Sequence, residues 1–169
     1  GKKLIRKATL PDAECIAQIH AKTWLTAYQS LIPAHFHNNR STLEVRRKLW
    51  NELLSKEHNS HYVIESDGKV VGFFSVDVAR DTDLPENTCK LIAIYLDSGY
   101  WRNGYGSQAM SFILEQAKVR GYEQISLWVF EENSRAIQFY ERFGFQFDGT
   151  TNVLDLGKPV TECRYQLQL

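Results

Sequence analysis

The sequence predicts an α+β fold in which a mostly antiparallel, splayed sheet of six or seven strands has helices on both faces. Three observations predict it. The dipeptide Asp67-Gly68 separates two strand-like runs, as in a tight β-hairpin. Another strand-like run, Lys90–Leu96, leads through a glycine-rich loop into a helical pattern, and two further strands close the chain. The length of 169 residues predicts a single domain spanning positions 1–169.

The first half of the chain alternates short strands with amphipathic helices. Leu4–Ala8 has the composition of a strand. Thr9 is expected to cap a helix, because Asp12 follows three residues later and Pro11 fits the first turn. That helix should contain Trp24 and Tyr28. The remaining elements expected here are a helix at about Thr42–Leu54 and strands at His61–Glu65 and Lys69–Val78.

In the second half, a helix is expected to begin near Ser107, because apolar residues recur there at spacings of three and four. Gly121 should end it. A short helix capped by Asn133 and ended by Gly144 comes later. The expected strands are Ile125–Val129, about Gln146–Val153 and Thr161–Leu169.

The composition argues against several partners and ligands. Twenty basic and twenty acidic residues balance, so neither nucleic acid nor an anionic membrane is expected as a partner. No apolar run could span a bilayer and no signal-peptide pattern is present, which predicts a cytoplasmic protein. Cys15, Cys89 and Cys163 lie far apart, so we expect buried free thiols and no metal site. Exposed sheet edges favour a homodimer.

The segment Arg102-Asn103-Gly104-Tyr105-Gly106-Ser107 stands between a strand and a helix. Its two glycines allow a sharp turn and a close approach of the backbone to a ligand. The helix that follows offers N–H groups and the positive end of its dipole. The segment therefore predicts a seat for a phosphate or pyrophosphate.

A second pattern follows at a fixed distance from this loop. Asn133 opens a helix that continues through Phe139 and Tyr140 to Gly144-Phe145. The glycine loop, this helix and the strand between them together carry a resemblance to a known family. Over most of Lys90–Phe145, the chain resembles the GNAT superfamily of N-acetyltransferases. Trp101 stands where the family has Gln or Arg, and Arg102 beside it could supply the charge.

The resemblance implies acetyl-CoA as co-substrate, no metal, and transfer of an acetyl group to a primary amine by direct attack in a ternary complex. The acceptor would be a small molecule or a peptide. Tyr140 would give a proton to the departing thiolate, and Asn133 would bond to the cofactor's arm. The backbone of Ile94, Tyr95 and Leu96 would pair with that arm, and the N–H groups of Arg102, Asn103, Gly104, Tyr105, Gly106 and Ser107 would bind the pyrophosphate.

Several points stay open in the sequence. Many relatives have a Glu where this chain has Lys90, so the general base is not identified; Asp77, Glu86 and Glu65 are candidates. Two other functions fit parts of the pattern: a non-catalytic acyl-CoA sensor or interaction module, and a dinucleotide-dependent enzyme, since Gly104–Ala109 fits Gly-x-Gly-x-x-Ala.

Four further expectations concern side chains outside these two patterns. A buried Cys89 could act as a covalent nucleophile, although no His stands near it in the sequence. Trp24 and Tyr28 could equally line an acceptor cleft or fill the core. The basic run Arg46-Arg47-Lys48 is expected on the outer face of its helix. The scattered histidines, His20 among them, are expected to be solvated or to cap helices rather than to bind metal.

Overall fold

The computed structural model describes residues 2–35 and 43–169. The expected fold class is confirmed: seven strands form one open sheet in the order β1-β2-β3-β4-β5-β7-β6. The strands are β1 Lys3–Lys7, β2 His61–Ser66, β3 Lys69–Val78, β4 Thr88–Leu96, β5 Gln124–Phe130, β6 Gln146–Asp155 and β7 Pro159–Gln168. The helices are α1 Ala13–Tyr28, α2 Leu43–Leu54, α3 Tyr105–Val119 and α4 Ser134–Arg142.

Most neighbouring strands run antiparallel. The pairs β1–β2, β2–β3, β5–β7 and β6–β7 are antiparallel, whereas β4 and β5 are parallel. The parallel register comprises three pairs near the beginning of each strand: Thr88 with Gln124, Cys89 with Ile125 and Lys90 with Ser126. A parallel pair needs a crossover connection, which helix α3 provides between β4 and β5.

Local signals in the sequence account for the ends of several elements. Asp67 and Gly68 both have positive φ, 49° and 84°, as a type I′ hairpin turn requires. Thr9 caps the chain as expected, but it caps a 3-10 turn, Leu10–Asp12, through a reciprocal capping box with Asp12. Helix α1 begins directly after that turn.

The chain divides into two compact units. The first contains Gly1–Ser75 and Ala93–Phe112. Its core is apolar and combines side chains from the residue that follows β1, from α1 and α2, and from the β2–β3 hairpin. The buried members are Ala8, Ala13, Ile16, Ala17, Ile19, Trp50, Leu54, Val63 and Phe73.

Cys15 corrects one expectation about this unit. The sequence predicts a buried thiol at this position, but the side chain is exposed. The buried positions of α1 around it are Ala13, Ile16, Ala17 and Ile19, so the helix turns Cys15 away from the face that packs on the core. Cys89 and Cys163 are buried as expected, and all three thiols are free.

The second unit contains Val76–Ile92 and Ile113–Leu169. Its most distinctive polar feature is a nearly buried Arg164, whose guanidinium pairs with Asp148 at 2.6 Å, Asp83 at 2.7 Å and Asp81 at 3.1 Å. The hydrogen bond from Arg164 lowers the pKa of Asp83 below its ordinary value. This cluster joins strands β6 and β7 to the loop between β3 and β4.

Candidate active site

The segment predicted to pair with the cofactor's arm forms the end of β4, where Ile94, Tyr95 and Leu96 are each half-buried. Gly72 of β3 lies directly against it: a Cβ built on Gly72 would stand 2.7 Å from the Tyr95 carbonyl oxygen. The Leu96 carbonyl accepts a hydrogen bond from the Trp101 indole N–H at 2.8 Å. The carbonyl of Leu96, one of the three residues predicted to pair with the cofactor's arm, thus already accepts a hydrogen bond within the protein.

The glycine loop contains two residues with left-handed backbone, Arg102 with a φ of 65° and Gly104 with a φ of 83°. A non-glycine residue at positive φ is uncommon and often marks a functional site. Helix α3 begins at Tyr105, two residues before the predicted start at Ser107. Gly106 therefore also belongs to the first turn, where N–H groups have no partners inside the helix and the dipole is positive.

Side chains of the first unit hold this loop in place. Tyr105 is buried, and its hydroxyl donates to the Ser66 hydroxyl at 2.6 Å. Lys3 Nζ donates to the Asn103 carbonyl at 2.5 Å and lies 4.6 Å from the centre of the Tyr105 ring. Because the buried Tyr105 ring fixes the backbone at its position, the helix starts there rather than after the second glycine. Asn103 and Arg102 are exposed beside it.

A group that the sequence analysis missed lies in the same unit, between α1 and α2. Arg46 Nη1 is 2.6 Å from His20 Nε2, and the Trp50 indole N–H donates to His20 Nδ1 at 3.0 Å. The His20 ring stacks on that of Tyr95, with ring centres 5.3 Å apart. The Arg46 guanidinium lies 5.8 Å from the centre of the Trp24 ring. We call these five residues the His20 cluster.

The His20 cluster corrects two expectations. His20 is not a solvated or capping histidine: burial, together with the nearby Arg46 charge, lowers its pKa to about 3, so the ring is neutral at physiological pH. Arg46 does not lie on the outer face of its helix but contacts His20 of α1. Arg47 beside it is half-buried and pairs with Glu14 of α1 at 2.8 Å. One feature of the sequence could have indicated this cluster. His20 and Trp24 are four residues apart on one helix, as are Arg46 and Trp50 on the next, so each pair shares a helix face.

The two predicted residues of the second unit lie on or next to α4. The Asn133 side-chain oxygen accepts the Ala136 N–H at 3.3 Å, which confirms its predicted role as helix cap. Tyr140 is half-buried, and its ring contacts those of Phe139 and Phe145 edge-on, with centres 5.6 and 5.8 Å away. The roles of Asn133 and Tyr140 toward a cofactor stay predictions.

The carboxylates considered as general bases occupy different surroundings. Glu65 accepts a hydrogen bond from Arg6 at 2.5 Å, which holds it in an ion pair. Asp77 accepts the N–H of the next residue, Val78, at 2.7 Å. Glu86 is exposed. None of these arrangements identifies a base.

The cysteine considered as a nucleophile is poorly suited to that role. Burial raises the pKa of the Cys89 thiol to about 11. A nucleophilic cysteine needs the opposite shift, because the thiolate is the reactive form. Within residues 2–35 and 43–169, no three acidic, cysteine or histidine side chains are grouped so that they could hold a metal ion. No helix over the same ranges is long and apolar enough to cross a membrane.

The sequence profile of the acetyltransferase (GNAT) family matches residues 22–145. This chain belongs to the GNAT family. The family match confirms the resemblance carried by the glycine loop and the Asn133 helix, and it places the chain among the acetyltransferases. The mostly antiparallel sheet also differs from the doubly wound parallel sheet that a dinucleotide-binding fold requires.

Individual relatives agree with this family assignment. An uncharacterized N-acetyltransferase of Methanocaldococcus jannaschii is 27% identical over 143 residues, which are 84% of this chain and 60% of that protein. The L-amino acid N-acetyltransferase of Escherichia coli K12 is 28% identical over 87% of this chain and 85% of that protein. The N-acetyltransferase of Thermoplasma acidophilum, solved in complex with coenzyme A, covers both chains fully with a TM-score of 0.75 and 17% identity, and thus shares the fold.

Proposed function

We propose that this GNAT protein transfers an acetyl group from acetyl-CoA to a primary amine, by direct attack in a ternary complex and within a single domain of residues 1–169. The observation that carries the proposal is the loop before α3, where Arg102 and Gly104 both have left-handed backbone. This conformation precedes a helix start whose N–H groups suit a pyrophosphate. The acetyltransferase family match supports the same ligand.

The residues of the first unit would bind and orient the cofactor. Gly104 fits this role, because its lack of a side chain lets the backbone approach phosphate oxygens. The N–H groups from Arg102 to Ser107 would hold the pyrophosphate, and the end of β4 would align the arm as an added strand would. A backbone N–H near Tyr95 or Leu96 would stabilise negative charge that develops on the acyl oxygen.

Acetyl-CoA supplies an acetyl group activated as a thioester. The attacking amine must be neutral, so the protein has to hold it deprotonated. The Tyr140 hydroxyl would donate a proton to the departing sulfur, and the Asn133 side chain would bond to the arm. No covalent acyl-enzyme is required, in agreement with the raised pKa of Cys89.

Two measurements test this proposal. Calorimetry should detect binding of acetyl-CoA at micromolar concentration, and a thiol-release assay with a panel of amines should detect transfer. Tyr140→Phe should lower kcat about a hundredfold, as expected for loss of a general acid, and should leave the Kd for acetyl-CoA nearly unchanged. Tyr122→Phe removes the same hydroxyl outside the proposed site and should keep full activity.

These measurements also separate the proposal from the remaining alternative. A protein that binds acetyl-CoA but releases no thiol with any amine would be a sensor or interaction module. A protein that does not bind acetyl-CoA at all would contradict both. Equal kcat values for Tyr140→Phe and the wild type would remove the assigned role of Tyr140 and leave the transferase assignment intact.

A further inference from the structure

The His20 cluster has more hydrogen-bond donors than its imidazole can satisfy. The Trp50 indole N–H points to His20 Nδ1 at 3.0 Å, and Arg46 Nη1 lies 2.6 Å from Nε2 and 3.2 Å from Nδ1. A neutral imidazole has one acceptor nitrogen, because its other nitrogen carries a hydrogen. It can therefore accept from Trp50 or from Arg46, but not from both. A further acceptor would complete the cluster.

The same cluster holds a positive charge without a matching carboxylate. Three other arginines, Arg6, Arg47 and Arg164, form ion pairs with Asp or Glu, whereas Arg46 forms none within the described part of the chain. The sequence of residues 36–42, Phe-His-Asn-Asn-Arg-Ser-Thr, contains no acidic residue.

Burial makes this charge costly. Arg46 Nε is buried and has no hydrogen-bond partner among the described residues. Burial also lowers the pKa of Arg46 below its ordinary value. A buried guanidinium is stabilised best by a carboxylate, which accepts two parallel hydrogen bonds from it.

The position of the cluster connects it to the proposed reaction. His20 stacks on the ring of Tyr95, with the ring planes 28° apart. The backbone of Tyr95 belongs to the β4 segment that would align the cofactor's arm. A ligand bound to Arg46 would therefore lie beside that segment, on the side covered by α1 and α2.

We infer that the acceptor is an amine that carries a carboxylate, with free α-amino acids as the simplest members of the class, and that Arg46 binds this carboxylate. The inference rests on the proposed acetyl transfer. It makes Arg46 a specificity-determining residue. It also disfavours polyamines as acceptors, because their positive charge would be repelled by the guanidinium.

Matched amines test the inference directly. We would compare L-leucine, L-phenylalanine and L-glutamate with their α-amides, and add spermidine, in the thiol-release assay. The α-amine of an amide loses its proton more readily, so intrinsic reactivity favours the amides. We expect the best free acid to exceed its amide in kcat/KM by about ten- to a hundredfold, the range for a charge-assisted hydrogen bond. Arg46→Met should abolish this preference.

Arg47→Met is the matched control, since it removes the same charge one residue away from a guanidinium that already pairs with Glu14. It should keep the preference for the acid. Melting curves of both variants show whether they fold. If Arg46→Met does not fold, Arg46→Lys replaces it and should show a smaller loss in the same direction, because lysine lacks the bidentate geometry.

A binding measurement tests the role of Arg46 independently of catalysis. The two ligands are N-acetyl-L-leucine and N-acetyl-L-leucinamide, measured by calorimetry in the presence of coenzyme A. The wild type and Arg47→Met should bind the acid at least tenfold more tightly than the amide. Arg46→Met should bind both equally. Equal binding of acid and amide, or faster acetylation of amides or spermidine, overturns the inference and leaves acetyl transfer standing. Failure of the proposed function appears separately, as absence of acetyl-CoA binding.

Discussion

At the scale of single residues, Gly104 is the position where backbone conformation and proposed function coincide. Its φ of 83° is unfavourable for any residue with a Cβ, and the nearest atom to an added Cβ would be the flexible Lys3 Nζ at 3.1 Å. Gly104→Ala should therefore cost about 1 kcal/mol through backbone strain alone. We also expect its Kd for coenzyme A to rise about fivefold or more, because the added methyl group stands where the backbone would approach the phosphate oxygens.

The control for Gly104→Ala is an alanine substitution at another glycine with positive φ, outside the proposed binding loop. Gly149 has a φ of 89° and open space around its missing Cβ. Gly149→Ala should lose a similar amount of stability in urea titrations but bind coenzyme A as the wild type does. Equal Kd values for Gly104→Ala and the wild type would show that this loop does not hold the cofactor.

His20 predicts how stability depends on pH. Its pKa is about 3 in the folded protein and about 6.5 in an unfolded chain. Between these values the unfolded state binds a proton that the native state does not, so the free energy of unfolding falls as the pH falls through this window. Above pH 6.5 the contribution is fully present. From pH 7 to pH 5, His20 should account for a loss of about 2 kcal/mol.

Urea unfolding at pH 7 and pH 5 measures this effect. In the wild type, the free energy of unfolding should fall between pH 7 and pH 5. In His20→Gln this fall should be smaller by about 2 kcal/mol. His58→Gln changes an exposed histidine and should keep the wild-type difference. An unchanged difference in His20→Gln would mean that His20 titrates normally and is not buried as described.

At the scale of secondary-structure elements, Gly72 controls how closely β3 approaches the end of β4. A Cβ there would meet backbone, the Tyr95 carbonyl oxygen at 2.7 Å, and no side-chain movement can relieve that contact. Gly72→Ala should destabilise the protein by about 1–3 kcal/mol, as overpacking does. It should also lower kcat/KM, because the Tyr95 backbone must shift.

Gly99→Ala is a suitable comparison for this prediction. The nearest contact of its Cβ would be the Asp97 side chain at 3.7 Å, which is ordinary van der Waals distance. We expect less than about 0.5 kcal/mol of change in its free energy of unfolding. A Gly72→Ala variant with wild-type stability and activity would show that β3 and β4 tolerate a wider spacing.

The elements also show what the sequence can predict. The hairpin turn at Asp67-Gly68, the Asn133 cap and the strand before the glycine loop follow from local chemistry, and each lies close to its predicted bounds. The predicted start of α3 is two residues late, because the burial of Tyr105 is a tertiary effect. His20 and Arg46 are 26 positions apart and lie on different helices, so the periodicity of neither helix predicts that they pair.

At the scale of the whole molecule, binding of the cofactor should stabilise the folded chain by mass action. Coenzyme A at a hundred times its Kd should add about 2.7 kcal/mol. For a chain of this length the melting temperature should rise by about 5–10 °C. NADH at the same concentration should leave it unchanged. A shift with NADH and none with coenzyme A would contradict the proposed cofactor.

Arg164 has a consequence for how this protein can change over generations. Three aspartates from two separate stretches of the chain converge on its one guanidinium. Losing any one of these acids leaves the cation still neutralised, whereas losing the cation leaves three anions crowded together. Replacing the arginine is therefore expected to cost more than replacing any one of the aspartates.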